Sequence, residues 1–152
     1  MKVIHEVYFT ENVAVLSFEK APATIHFLSE LFTRVAKAGI NVDMISQTAP
    51  KGSVNTISFT VADEHVPGVL AVLNGMNAGI RPMVSTGNVK IALYGEEMPS
   101  KVGVAAAAFA LLNEAGIDIL LITTSEVDIS IVVTSANSDA AYAILKKEYM
   151  TE

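Results

Sequence analysis

The chain has 152 residues, a formal net charge of −6, no cysteine, and 51% hydrophobic residues. Without cysteine, disulfides, zinc–thiolate sites and thiol catalysis are excluded, and an acidic balance with no Lys/Arg cluster argues against nucleic acid and anionic membrane as partners. No apolar run reaches the roughly 18 residues of a membrane span and no secretory leader is visible, so a cytoplasmic protein is expected, its apolar excess serving interfaces within or between chains.

Residues 2–9 alternate, with Val3, His5, Val7 and Phe9 on one side, and read as a strand. Residues 13–18 read as a second strand and 19–22 as a turn, with Pro22 suited to a first helical position where its missing N–H costs nothing. Ile25, Leu28, Leu31, Phe32 and Val35 then share one helical face. Residues 41–48 and 54–61 read as strands joined by an Ala-Pro-Lys-Gly loop. A helix starts near Pro67 and runs through Leu73, residues 77–79 turn, and 80–86 form a strand whose Pro82 suggests an edge. Residues 89–94 form a strand, and Ser100 is a candidate cap for a helix ending at Ala115. Four alanines in that helix, 105–108, allow close backbone approach. Residues 118–124 and 128–134 form a tight hairpin around Ser125 and Glu126, and Asn137 or Ser138 caps a last helix ending near Tyr149.

One pattern occurs twice. Ala38-Gly39-Ile40-Asn41-Val42-Asp43-Met44-Ile45 returns 77 residues later as Ala115-Gly116-Ile117-Asp118-Ile119-Leu120-Leu121-Ile122. Each copy is a helix end, a glycine able to take the left-handed conformation, and a β-branched strand. The spacing suits a duplicated small domain rather than a solenoid. Residues 10–87 read βαββαβ and residues 88–152 read βαββα. The economical solution is that residues 1–9 supply the missing strand of the second sheet. The expected class is therefore α+β, two ferredoxin-like units with antiparallel sheets and helices on one face.

Chemistry-bearing constellations are scarce. His5, His26 and His65 lie far apart without metal-ligand spacing, and read as structural or solvated. There is no phosphate-binding glycine motif. Glu96-Glu97 is a possible carboxylate pair, though a solvated loop is the simpler reading, and Ser125-Glu126 implies no adjacent base. No catalytic residue, metal or cofactor is expected. The loops carry more. In a βαββαβ unit the first strand–helix loop lies near the start of the second strand, where helix N–H groups can hold a carboxylate and an acceptor can hold an ammonium. The candidates are Lys20, Ala23, Thr24, Asn41, Val42, Asp43 and Gln47 in the first unit. In the second they are Met98, Gly103, Val104, Asp118, Ile119, Thr124, Ser125 and Glu126. Asn41 and Asp118 can equally cap strand starts, and Gln47 can be a surface strand residue.

These residues also carry a resemblance. The first repeat with Gln47 and Ile57-Ser58-Phe59-Thr60-Val61 resembles the first ACT domain of aspartate kinases. Gly103-Val104-Ala105-Ala106, the second repeat, and Thr123-Thr124-Ser125-Glu126-Val127-Asp128 resemble the second. The resemblance implies a tandem ACT regulatory region without a kinase domain, hence not catalytic alone. It implies a lysine or threonine effector, and a homodimer or an aspartate kinase catalytic subunit as partner. Matching positions are Asn41, Asp43, Gln47, Gly103, Asp118, Thr124, Ser125 and Glu126. The first loop departs from the family, with Lys20 and Ala23 in place of an acidic residue and a glycine, and Leu120 replaces the aspartate seen as Asp43. These departures motivate an alternative, an ACT-type assembly module with no ligand.

Overall fold

A computed structural model describes residues 3–77 and 79–150. Lys2, where the first strand was expected to begin, and Ala78, within the expected 77–79 turn, lie outside the described residues. The chain divides into a unit of Val13–Thr86 and a unit of Met1–Asn12 with Gly87–Glu152.

In the first unit, β1 (Glu6–Pro22) from Val13 onward runs antiparallel to β3 (Val54–Ala62), from Val13 opposite Ala62 to Phe18 opposite Ile57. On the other side of β3 lies β2 (Ile45–Gln47), with Gln47 opposite Ile57. Alternate strand residues point to one face. Leu16, Phe18, Ile57, Phe59 and Val61 meet Phe27, Leu31 and Val35 of α1 (Ile25–Lys37) and Val69 and Leu73 of α2 (Val66–Met76). Phe59 sits in the middle, stacked on Phe18 at 6.0 Å and met edge-on by Phe32 at 5.3 Å.

Local hydrogen bonds move three expected boundaries. Pro22 is not the first helical residue. A bulge after Phe18 lets pairing resume at Ala21 and Pro22, opposite Asn55 and Val54, and the helix is capped by Thr24, whose Oγ1 accepts the Phe27 N–H at 3.2 Å. The strand expected over 41–48 shortens to β2, because the Thr60 hydroxyl takes the Met44 N–H at 3.0 Å and interrupts the ladder. The strand expected from residue 80 starts at Met83, after Pro82, which has no N–H to donate.

In the second unit, β4 (Met83–Tyr94) pairs with β6 (Asp128–Val133), and β6 with β5 (Leu121–Thr124). The N-terminal part of β1 flanks β4 on its other side, with the His5 N–H donating to the Tyr94 carbonyl at 2.8 Å. The N-terminal strand thus completes this sheet, as the repeat anticipated. Ile4, Ile91, Leu93, Ile129 and Ile131 pack against Ala108 and Leu112 of α3 (Val104–Glu114) and Ala141 and Leu145 of α4 (Ser135–Met150).

Two expected caps are spent elsewhere. Ser100 ends a short 3-10 turn, Met98–Ser100, and its Oγ donates to the Glu97 carbonyl at 2.8 Å. The helix starts only at Val104, after Gly103 in the left-handed region at φ +86°. Ser138 lies inside α4 and its Oγ donates to the Ser135 carbonyl at 2.8 Å. Asn137 is also helical, its N–H donating to the Thr134 carbonyl at 3.1 Å. The second hairpin is shorter than read, with the Ser125 N–H donating to the Asp128 carbonyl at 2.9 Å.

Near the end of α4 the Tyr149 hydroxyl is buried without a hydrogen-bond partner among the described residues, and burial pushes its pKa up. An unmet buried hydroxyl costs free energy that water would otherwise supply. Tyr149→Phe is therefore expected to stabilise the chain by about 1 kcal/mol, read as a higher urea midpoint at unchanged slope. A lower midpoint would show that the hydroxyl is satisfied in solution.

Candidate functional site

A small concavity in the first unit lies at the start of α1. It has a volume of about 160 Å³ and is lined by Ala23, Thr24, Ile25 and Leu28 on one side and Gln47, Pro50 and Asn55 on the other. Thr24 occupies the Phe27 N–H, and Leu28 is the first residue whose N–H reaches back to the Thr24 carbonyl, at 3.3 Å. The N–H groups of Ile25 and His26 have no helical carbonyl to bond, as in any first turn. They carry the positive end of the helix dipole, which suits a carboxylate.

Asn55 forms the floor. It lies two residues before Ile57 and four before Phe59 on the inward side of β3, and is only 5% exposed. Its Nδ2 donates to Gln47 Oε1 and to the Thr48 carbonyl, both at 3.3 Å. Its Oδ1 is buried and has no partner among the described residues. The cavity therefore combines the first residues of a helix, an exposed amide at Gln47, and a buried amide with one acceptor unused. Such a set matches a small molecule carrying both a carboxylate and a donor group.

The structure divides the candidate residues of the first unit. Ala23, Thr24 and Gln47 come together in this cavity. Lys20 faces a different one, of about 260 Å³, with Ser17, Glu19 and Arg81. Asn41 and Asp43 are exposed and Val42 half-buried on the segment entering β2, where the Asp43 N–H donates to the Thr60 carbonyl at 3.1 Å. Asn55 and Pro50 were missed. The signal for Asn55 was in the alternation: it has the parity of Ile57, Phe59 and Val61, and a polar residue at an inward position needs a reason.

In the second unit, Gly103 and Val104 open α3. Thr124 ends β5, and the Ser125 Oγ accepts the Val127 N–H at 3.3 Å in the turn that holds Glu126. Asp118 is exposed, Ile119 packs on the core, and Met98 is 8% exposed and part of it. The carboxylates at 96 and 97 have separate surroundings. Glu96 accepts the Tyr94 hydroxyl at 3.2 Å, which raises that phenol's pKa, while Glu97 Oε2 is buried without a partner. His26 and His65 stand 3.5 Å and 3.7 Å from Glu30 and Glu64, and His5 is exposed. Among the described residues no three His, Asp or Glu side chains converge as a metal site.

An ACT domain model matches residues 91–149. The regulatory subunit of aspartate kinase from Thermus thermophilus superimposes with a TM-score of 0.86 at 26% identity, over 96% of this chain and 98% of that one. Residues 91–149 match the ACT domain, and the chain as a whole resembles the regulatory part of aspartate kinase. A structure of aspartokinase alpha and beta subunits gives a TM-score of 0.82 at 28% identity, covering 97% of this chain and 99% of that one. An aspartokinase of Bacillus sp. strain MGA3 is 31% identical over 152 residues, which is 97% of this chain and 36% of that protein. The chain thus spans about a third of the length of the curated relatives it matches. Two solved regulatory subunits of aspartate kinase, from Thermus thermophilus and Thermus flavus, are each covered over 98% of their length. Among the described residues no helix is long and apolar enough to cross a membrane.

Proposed function

We propose that this ACT region senses a free amino acid and passes the signal to an aspartate kinase catalytic subunit in the cytoplasm, with lysine or threonine as the effector. The observation that carries this reading is the cavity of about 160 Å³ at the start of α1, which Thr24 and Ile25 line together with Gln47 and Asn55. The effector's carboxylate would sit at the N–H groups of Ile25 and His26, and Gln47 would reach its ammonium. Asn41, Val42 and Asp43 would flank the entrance from the segment before β2. In the second unit Gly103, Val104, Asp118, Ile119, Thr124, Ser125 and Glu126 occupy the corresponding loops. Similar structures named as regulatory subunits of aspartate kinase support a catalytic partner.

A thermal-shift series with the twenty amino acids tests the proposal. A ligand that binds only the folded state at about one hundred times its Kd adds about 2.7 kcal/mol, so lysine or threonine is expected to raise the apparent Tm by several degrees. A flat response across all twenty would overturn it.

A second reading, an assembly module without ligand, is favoured by the surface of the second unit. Val102, Leu120 and Ile122 are 105%, 45% and 39% exposed, and Leu120 stands at the repeat position that Asp43 holds in the first unit. A flat amino-acid screen together with a dimer in sedimentation would select this reading.

A further inference from the structure

The two units are built on one pattern, but their second hairpins differ in length. Gln47 stands opposite Ile57 across β2 and β3, and Thr124 opposite Ile129 across β5 and β6. Ile57 and Ile129 both belong to their cores. The residue two before Ile57 is Asn55, and the residue two before Ile129 is Val127. The first hairpin is longer, and its extra residues include Pro50, which walls the cavity. The second unit therefore has a threonine and a valine where the first has two amides.

The amide of Asn55 has a fixed orientation. Its Nδ2 faces the Thr48 carbonyl, which can only accept. The unmatched atom is thus the oxygen, and a buried acceptor without a donor is rare in folded proteins. Water does not reach Oδ1. Gln47 is exposed and bonded to Asn55 through one 3.3 Å contact, so it is the neighbour free to move aside.

We infer that Asn55 is the specificity-determining residue of the first-unit cavity, that it accepts an N–H or O–H of the effector once Gln47 gives way, and that each chain holds one effector, in the first unit. This rests on the amino-acid-sensing reading above. A ligand donor at Oδ1 would satisfy the unused acceptor, an interaction the second unit cannot offer through Val127. The donor is either the α-ammonium or a side-chain hydroxyl, and threonine with its isostere valine distinguishes them.

The test is calorimetric titration of the full chain with threonine, valine and lysine. The expected stoichiometry is one ligand per chain. Asn55→Val is expected to weaken binding at least tenfold, about 1.4 kcal/mol, with a ligand-free Tm close to that of the unmodified chain. Asn55→Thr, which restores an acceptor, should recover part of the affinity. Threonine binding without valine binding would assign the donor to the hydroxyl, and equal binding would assign it to the ammonium. Two ligands per chain, or full affinity in Asn55→Val, would overturn the inference while leaving amino-acid sensing intact. Failure of the unmodified chain to bind any of the twenty amino acids would overturn both.

Discussion

Gly95→Ala is expected to unfold the second unit. Gly95 follows the last residue of β4, and a Cβ built on it would overlap the backbone carbonyl of Val3 and crowd the Cα of Ile4. The glycine cannot shift to make room. Its N–H donates to the Val127 carbonyl at 2.9 Å and its carbonyl accepts the Met98 N–H at 3.2 Å. On the other side, Ile4 is 1% exposed and fixed in the core. Overpacking against movable side chains costs about 1–3 kcal/mol. Here the obstacle is main chain, so a loss above about 3 kcal/mol is expected, a large fraction of the roughly 5–15 kcal/mol that holds a domain folded. Urea denaturation of the variant measures it. A midpoint equal to that of the unmodified chain would show that Val3 does not lie against Gly95 in solution.

Removal of residues 1–9 should have a comparable effect by a different route. Ile4 is fully buried, Val3, Val7 and Phe9 pack on the same core, and the Phe9 ring meets Tyr142 edge-on at 5.0 Å. Burying one large apolar side chain contributes about 1.5–3 kcal/mol, so loss of this group is expected to cost at least about 4 kcal/mol. It would also expose the backbone edge of β4, an open template for association. Amide exchange localises the damage. Protection should fall across residues 87–133 and persist in the first-unit strands, residues 13–18 and 54–62. Unchanged protection in 87–133 would overturn the assignment of the N-terminal strand to this sheet.

What could be read from the chain was local or periodic. The two glycines of the repeat, Gly39 and Gly116, do take φ +76° and +66°, because ending a helix in the left-handed region is a property of the residue itself. The face of α1 followed from spacing in part: Leu31 and Val35 are buried and Leu28 and Phe32 half-buried as read, but Ile25 is 81% exposed and Phe27 enters the core instead. The need for an additional strand in the second sheet followed from counting elements. What could not be read was the choice among competing hydrogen-bond partners. Ser100 and Ser138 have the side chains of caps, yet each hydroxyl bonds a carbonyl three residues back, and either use is close in energy. Pro22 fits a helix start as well as a strand end, and only the bulge in β1 decided between them. The candidate site shows the same division. Thr24 and Gln47 stood in the loops that topology brings near each other. Asn55 became part of the site only through β3, whose register turns it toward the core beneath Gln47 and leaves its oxygen without a donor. Sequence periodicity determined which side of β3 each residue occupies. The tertiary structure alone decided that no group among the described residues would be left to pair with that oxygen, because satisfaction of a buried polar atom depends on every element that surrounds it.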